Sequence, residues 1–354
     1  MTRTVQEMNN NPTTPVDPTA SKVTAEILVG DALTQLRTLQ PGSVHAVITD
    51  PPYGLTAATD AVDLLDCWLT GRAFLGAGSG YAGNPWDHSV PGPELWTEVV
   101  RVLAPGGFVL AFAAARTIDL TGLALRLGGL DVRDSLHWTY ATGVLRTPDL
   151  GKREQLFSGD AVAVARLSGQ RATLRPAHEP ILVARSPLLE DNLTDNVLAC
   201  GTGAIRHGSD ILTNCVVTHE LDCYPSACTP GCPLDATNHG PEVTHLYPGQ
   251  HIGLPSLRVA KPGTAERPVT ANGTRHDTVK PLALMRWLIR AFTPEHGTVL
   301  DPFLGSGTTA EAAITEGRNV IGCEITDDYL PLIKQRLRRT GIDKSRIRGL
   351  QGVA

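Results

Sequence analysis

Residues 298–324 read TVLDPFLGSGTTAEAAITEGRNVIGCE, and this stretch decides the fold. A short apolar run, Thr298–Asp301, leads into the turn Pro302-Phe303-Leu304-Gly305-Ser306-Gly307. Thr308 and Thr309 then open an Ala-rich helical segment, and Asn319–Glu324 reads as a second strand. Glycines at a strand-to-helix turn let a ligand approach the backbone closely. Glu324 follows at about the twenty-residue distance from which a carboxylate reaches a ribose diol. Thr309 stands where a dinucleotide fingerprint has its third glycine, and no Walker lysine is present. A purely structural turn is the competing reading of Gly-Ser-Gly taken alone.

The same alternation extends in both directions. KPLALMRWLIRAF (Lys280–Phe292) precedes the stretch as a helix, and DDYLPLIKQRLRR follows it as another. Near the other end, AEILVG, DALTQLRTL and HAVITD predict strand, helix and strand. PELWTEVVRVLAPGG predicts a helix stopped at Gly106 and Gly107, and FVLAFAA (Phe108–Ala114) a strand buried on both faces. TGLALRLGGL reads as a helix, with DSLHWTYA and HEPILVARS as further strands. Strands alternating with helices predict an α/β fold with a doubly wound, mostly parallel sheet. The expected organisation is a disordered tail (1–24), a first α/β half (25–186), an irregular insertion (187–274), a second α/β half (275–340) and a basic tail (341–354).

A second motif, Asp50-Pro51-Pro52-Tyr53, follows the strand HAVIT directly. Ligands in open α/β sheets bind beyond the carboxyl ends of strands, where this tetrapeptide falls. Consecutive prolines fix the backbone and supply carbonyl acceptors without competing N–H donors. Asp50 adds a carboxylate acceptor and Tyr53 an aromatic face. Acceptors beside a stacking ring suit a planar heterocycle carrying an exocyclic amino group. A rigid turn with Tyr53 in the core is the plainer reading of the tetrapeptide by itself.

Together, the Asp-Pro-Pro-Tyr and Asp-Pro-Phe-Leu-Gly-Ser-Gly-Thr-Thr motifs resemble the β group of S-adenosylmethionine-dependent DNA amino-methyltransferases. VGDAL (Val29–Leu33), LHWTYATG, HEPILVARS and HDTVKPLALMRWLI resemble further segments of that family, so the likeness covers about two-thirds of the chain. It implies a circularly permuted, Rossmann-like methyltransferase fold with its target-recognition region in the insertion. Running the C-terminal elements on into the N-terminal ones gives an unbroken β-α-β-α-β-α-β series, with both motifs at successive strand ends.

The resemblance also implies S-adenosylmethionine as cofactor, held by Asp31, Thr278, Lys280, Asp301, Phe303, Gly305, Ser306, Gly307, Thr308, Thr309 and Glu324. Asp31 reads equally as a helix N-cap, and Lys280 as a solvated charge at the sheet edge. Asp50, Pro51, Pro52 and Tyr53 would be catalytic, acting on a nucleotide flipped out of double-stranded DNA. Asp rather than Ser at the first motif position resembles the adenine-specific members. Cytosine in DNA, RNA or a protein amide are the alternative targets, and a non-enzymatic DNA-binding relic is the alternative class. A homodimer and a separately encoded restriction endonuclease are partners that family membership raises.

His219, Cys223, Cys228 and Cys232 are spaced compatibly with a tetrahedral zinc site, with Cys215 as an alternative ligand. Reduced thiols on a loop are the other reading. The remaining cysteines, Cys67, Cys200 and Cys323, read as packing residues. No run approaches the ~20 apolar residues of a membrane span, and residues 1–22 contain no apolar signal core. A soluble, cytoplasmic protein is therefore expected. The net charge of −5 excludes a histone-like binder that relies on charge alone. A local DNA surface remains compatible with it, and Lys334–Arg348 gathers seven basic residues around the single Asp343.

Overall fold

A computed structural model describes residues 23–55, 60–74, 87, 89–140, 149–171, 178–206, 256–270 and 272–353. The described strands are β1 (Ala25–Val29), β2 (Val44–Thr49), β3 (Leu103–Phe112), β4 (Asp131–Thr139), β5 (His178–Arg185), β6 (Ser256–Arg258), β7 (Thr298–Asp301), β8 (Asn319–Glu324) and β9 (Ile347–Arg348). They form one sheet in the order β6-β4-β5-β3-β2-β7-β8-β1-β9. Only β5 runs against its neighbours β3 and β4, so the sheet is mostly parallel.

The helices divide between the two faces. Around α1 (Ala32–Leu36), α2 (Ala61–Leu69), α3 (Pro93–Val102) and α4 (Ile118–Leu127), Leu36, Trp68, Trp96, Val99 and Leu125 share one core with Val109 and Ala111 of β3. On the other face, α8 (Leu282–Phe292), α9 (Thr308–Thr315) and α10 (Leu330–Arg339) place Leu288, Ala313 and Ile333 in a core with Phe108, Leu110 and Phe112. Alternate residues of β3 thus enter opposite cores, the reason its sequence is apolar throughout. The doubly wound α/β class expected from the sequence is what the chain adopts.

The sheet order sharpens the expected juxtaposition of motifs. β7, β8 and β1 are consecutive, but β2 does not continue past β1; it returns to the opposite side of β7. Ala46 and Val47 pair with Val299 and Leu300, so both motifs leave adjacent strands. Strand order reverses between β2 and β7, and such a switch point opens a crevice for ligands.

Three boundaries differ from the sequence reading. The helix expected to stop at Gly106–Gly107 ends at Val102, and the glycines lie inside β3, where its register against β2 shifts. A Cβ on Gly107 would stand 2.9 Å from the carbonyl oxygen of His45, so close strand approach explains that glycine.

The insertion is also shorter than 187–274. Its start forms α7 (Leu193–Cys200), capped by Asn192 and ended by Gly201 in the left-handed region. Buried Asn196 ties that helix to the carbonyl of Pro105. Its end supplies β6, paired with β4. Finally, the basic tail of 341–354 is part of the domain: β9 extends the sheet beside β1, and Leu350 is buried. Two short helices, α5 (Leu150–Phe157) and α6 (Ala161–Leu167), have no counterpart in the sequence reading. α6 (AVAVARL) is apolar nearly all round and buries no residue, so it offers no amphipathic period to announce it.

Candidate active site

Asp301, at the end of β7, is 2% exposed and builds the turn that follows it. One carboxylate oxygen accepts hydrogen bonds from Thr49 Oγ1 (2.6 Å) and the Phe303 amide (3.0 Å), the other from Thr309 Oγ1 (2.6 Å). Burial nevertheless pushes this carboxyl up to about 6. Asp301 therefore joins β2, β7 and α9 around the crevice and also lines the cavity.

Gly305 and Gly307 have φ of 54° and 84°. A Cβ on Gly305 would stand 2.8 Å from His276 Nε2, and one on Gly307 3.0 Å from the Ile333 backbone. Both positions require glycine, leaving a concave turn with Ser306, Thr308 and Phe303 along its rim. Glu324 lies across from it, accepting from the amides of Gly305 (2.7 Å) and Thr326 (2.8 Å). Burial raises its carboxyl to about 7 despite those donors. The amide of Gly30 donates to the Glu324 carbonyl, which brings Asp31 to the neighbouring strand end. Asp31 caps α1 through Thr34 and also lines the cavity.

The second motif lies on the other wall. Tyr53 donates its hydroxyl to Asp50 Oδ1 at 2.6 Å, with Glu179 Oε2 at 3.3 Å. Lys280, 6% exposed, bonds Asp50 Oδ2 and stands 3.3 Å from the same Glu179 oxygen. Burial alone would lower the Lys280 pKa, but the two carboxylates outweigh it and hold it above normal. Burial and the same carboxylates raise the Tyr53 phenol well above its ordinary value. Asp87, 2% exposed, accepts from the amides of Tyr53 (2.7 Å) and Gly54 (2.9 Å) and so fixes the loop after the prolines.

Lys280 is thus neither solvated nor free at a sheet edge: it is built into the Asp50 wall. Thr278 is exposed beside it, its amide donating to His276 Nδ1 at 3.3 Å. One cavity of about 1280 Å³ is lined by both walls, including Asp31, Asp50, Pro51, Pro52, Tyr53 and Glu324. Glu179, Asp87, His276 and Lys261 also line it and were absent from the sequence reading. Glu179 carried one signal, a carboxylate heading an apolar strand. Asp87 sits in a loop whose partners only the fold reveals.

His219, Cys215, Cys223, Cys228 and Cys232 lie outside the described residues. Among the described residues no group of three or more His, Cys, Asp or Glu side chains is arranged to hold a metal. Cys323 is buried as expected, whereas Cys67 and Cys200 are partly exposed. No described helix is long and apolar enough to cross a membrane.

A switch-point cavity walled by these two motifs defines a Rossmann-like group-transfer site. A profile of DNA methylases, the N6/N4 family, matches residues 237–335. The type II methyltransferase M.HindIII of Haemophilus influenzae is 28% identical over 340 residues, covering 89% of this chain and 94% of that protein. The DNA adenine methyltransferase YhdJ of Escherichia coli is 46% identical over 67 residues, 19% of this chain and 22% of its own. Among solved structures, the DNA modification methylase TTHA0409 of Thermus thermophilus shares the fold with a TM-score of 0.50 at 19% identity, covering 92% of this chain and 98% of its own. Over residues 237–335 the chain is thus similar to the N6/N4 family of DNA methylases, and over most of its length to M.HindIII.

Proposed function

We propose that this protein transfers a methyl group from S-adenosylmethionine to the exocyclic amino group of adenine in double-stranded DNA. The observation that carries this reading is the adjacency of β2 and β7, which opens Asp50-Pro51-Pro52-Tyr53 and the Gly305–Gly307 turn into one cavity. The donor fits the residues present: the glycine turn admits a close backbone approach, and Glu324 and Asp31 offer carboxylates at neighbouring strand ends. Bound S-adenosylmethionine supplies an electrophilic methyl group, taken by the amino lone pair as the carbon–sulfur pair stays with sulfur and the amino group releases a proton.

The chain's contribution is positioning and electrostatics. Asp50 and the Pro51 carbonyl accept the amino hydrogens, aiming the nitrogen lone pair across the cavity toward the turn. Tyr53 offers its ring to a base withdrawn from the duplex, since a stacked base cannot reach the crevice. The length of M.HindIII that this chain spans supports an enzyme acting on DNA. The adenine-methyltransferase relative and the Asp at position 50 favour adenine over cytosine. The insertion, between the two halves of the site, is the region that supports a role in choosing the DNA sequence. Incubation with methyl-tritiated S-adenosylmethionine and duplex DNA tests this directly. Label is expected in DNA, and nucleoside analysis should recover it as N6-methyl-2′-deoxyadenosine; label only in RNA or protein would reject the reading.

The raised Glu324 carboxyl adds a pH dependence. An ionised carboxylate accepts from both ribose hydroxyls, whereas a protonated one gives up an acceptor site. With this group at about 7, donor affinity should strengthen as pH rises through neutrality and level off above it. Below that point the loss is at most about tenfold per pH unit. Calorimetric titration between pH 5.5 and pH 8.5 checks this, and Glu324→Gln should flatten the dependence.

A further inference from the structure

Asp50, on which the proposed chemistry turns, has both carboxylate oxygens engaged by its own chain. The Tyr53 hydroxyl occupies Oδ1 and the Lys280 ammonium Oδ2. An amino group arriving at Asp50 must therefore compete with two existing donors, one of them charged. Both donors also lie 3.3 Å from a single second acceptor, Glu179 Oε2. A phenol has one hydrogen and can serve only one carboxylate at a time, whereas an ammonium can serve both.

Glu179 arrives there for a topological reason. β5 is the one described strand that runs against its neighbours, so its beginning lies at the edge where the parallel strands end. Its second residue consequently faces the end of β2. Its other oxygen, Oε1, stands 4.0 Å from Lys261, whose ammonium lies 4.0 Å from the centre of the Tyr140 ring. His178 precedes it on the cavity wall. Glu179 is therefore oriented from two sides, with Oε2 aimed between Tyr53 and Lys280.

We propose that Glu179 is a positioning residue that takes over the Tyr53 hydroxyl and the Lys280 ammonium when the target amino group arrives, releasing Asp50 to accept it. The exchange needs only a small movement, because both donors are already within 3.3 Å of their second acceptor. This inference rests on the amino-methyltransferase reading above and adds a residue that neither motif contains. A bystander role, in which Glu179 only neutralises Lys280, would change donor binding or stability without a specific effect on the transfer step.

Single-turnover methyl transfer to DNA, read beside S-adenosylmethionine binding, separates the two roles. Glu179→Gln removes the charge that makes this acceptor competitive with Asp50. Its transfer rate is expected to fall about tenfold or more, with donor affinity within threefold of wild type and part of the rate restored in Glu179→Asp. Because Glu179 acts through Tyr53 and Lys280, adding Glu179→Gln to Tyr53→Phe should cost less than it does alone. An unchanged rate, or a loss matched by donor affinity, would overturn the proposal. Should Glu179→Gln fail to fold, Glu179→Ala, which removes the acceptor altogether, takes its place in the same cycle with Tyr53→Phe and is judged by the same criteria. Wild-type enzyme that leaves DNA unlabelled would overturn the underlying reading, an outcome distinct from wild-type activity that Glu179→Gln retains.

Discussion

Replacing Asp50 with alanine is expected to slow methyl transfer by about a hundredfold or more while leaving the fold and donor binding in place. The proposed reaction needs an acceptor that holds the amino group in one orientation, and Asp50 is the carboxylate at the end of β2 that faces the cavity. Loss of one pre-oriented polar partner of this kind costs about 10²–10³ in rate. The fold should survive because each group Asp50 touches keeps another partner. Lys280 retains Glu179 at 3.3 Å, so no buried ammonium is stranded, and the Tyr53 hydroxyl turns to the same carboxylate. The loop itself is held elsewhere, by the Asp87 carboxylate on the amides of Tyr53 and Gly54. The Gly305–Gly307 turn and Glu324 lie on the opposite wall, so calorimetric affinity for S-adenosylmethionine should stay within a few fold. A variant that still labels DNA at more than a tenth of the wild-type rate would remove Asp50 from the chemistry.

What could be read from the sequence divides along physical lines. Strand and helix types followed from apolar periodicity, because β3 and β7 are buried on both faces and α8 on one. The motifs were legible because each places special chemistry at the end of a strand: glycines with positive φ after β7, prolines after β2. The chain order of elements does not reveal which strands are neighbours. Continuing the series past β1 put the end of β2 next after that of β1, whereas β2 pairs with β7 on the other side of the switch point. Long-range partners were equally hidden. Glu179 is 129 positions from Asp50 in the chain, and it reaches the site only because β5 reverses direction. Asp87 serves the backbone of a loop 32 to 34 residues earlier, a bond no spacing rule encodes. The glycine pair at 106–107 misled for a related reason: it resembles a helix stop, yet Gly107 answers to the approach of β2 and Gly106 to a positive φ beside Asn196.

The basic C-terminal segment exposes the same limit, since charge was legible there and burial was not. Lys334 donates to the Val353 carbonyl, and Arg339 reaches the Ala265 carbonyl. Arg336 is fully buried within α10. Its guanidinium bonds Glu311 of α9 at 2.5 Å and the carbonyl of Glu266 at 2.5 Å. Glu266 in turn accepts from the amide of Leu282, the first residue of α8 and only two positions beyond Lys280. An arginine counted toward a DNA surface is thus an internal brace linking three segments to the Asp50 wall.

Arg336→Ala should consequently be strongly destabilising. Glu311 is 6% exposed and would be left as a buried carboxylate without its cation, a change that costs about 3–5 kcal/mol. For a chain of this size that corresponds to a melting temperature lower by roughly 10 °C. Lysine is a poor substitute because its single ammonium cannot span two acceptors held by a planar fork. Arg336→Met paired with Glu311→Leu removes both charges and keeps apolar volume, and should recover most of the loss. The recovery is diagnostic: it separates the penalty of a stranded carboxylate from the loss of packing by the arginine stem. Thermal unfolding of the single and double variants tests the brace, and an Arg336→Ala protein that melts within 2 °C of wild type would refute it. Weak DNA binding by a variant of unchanged stability would return Arg336 to the role its charge alone implied.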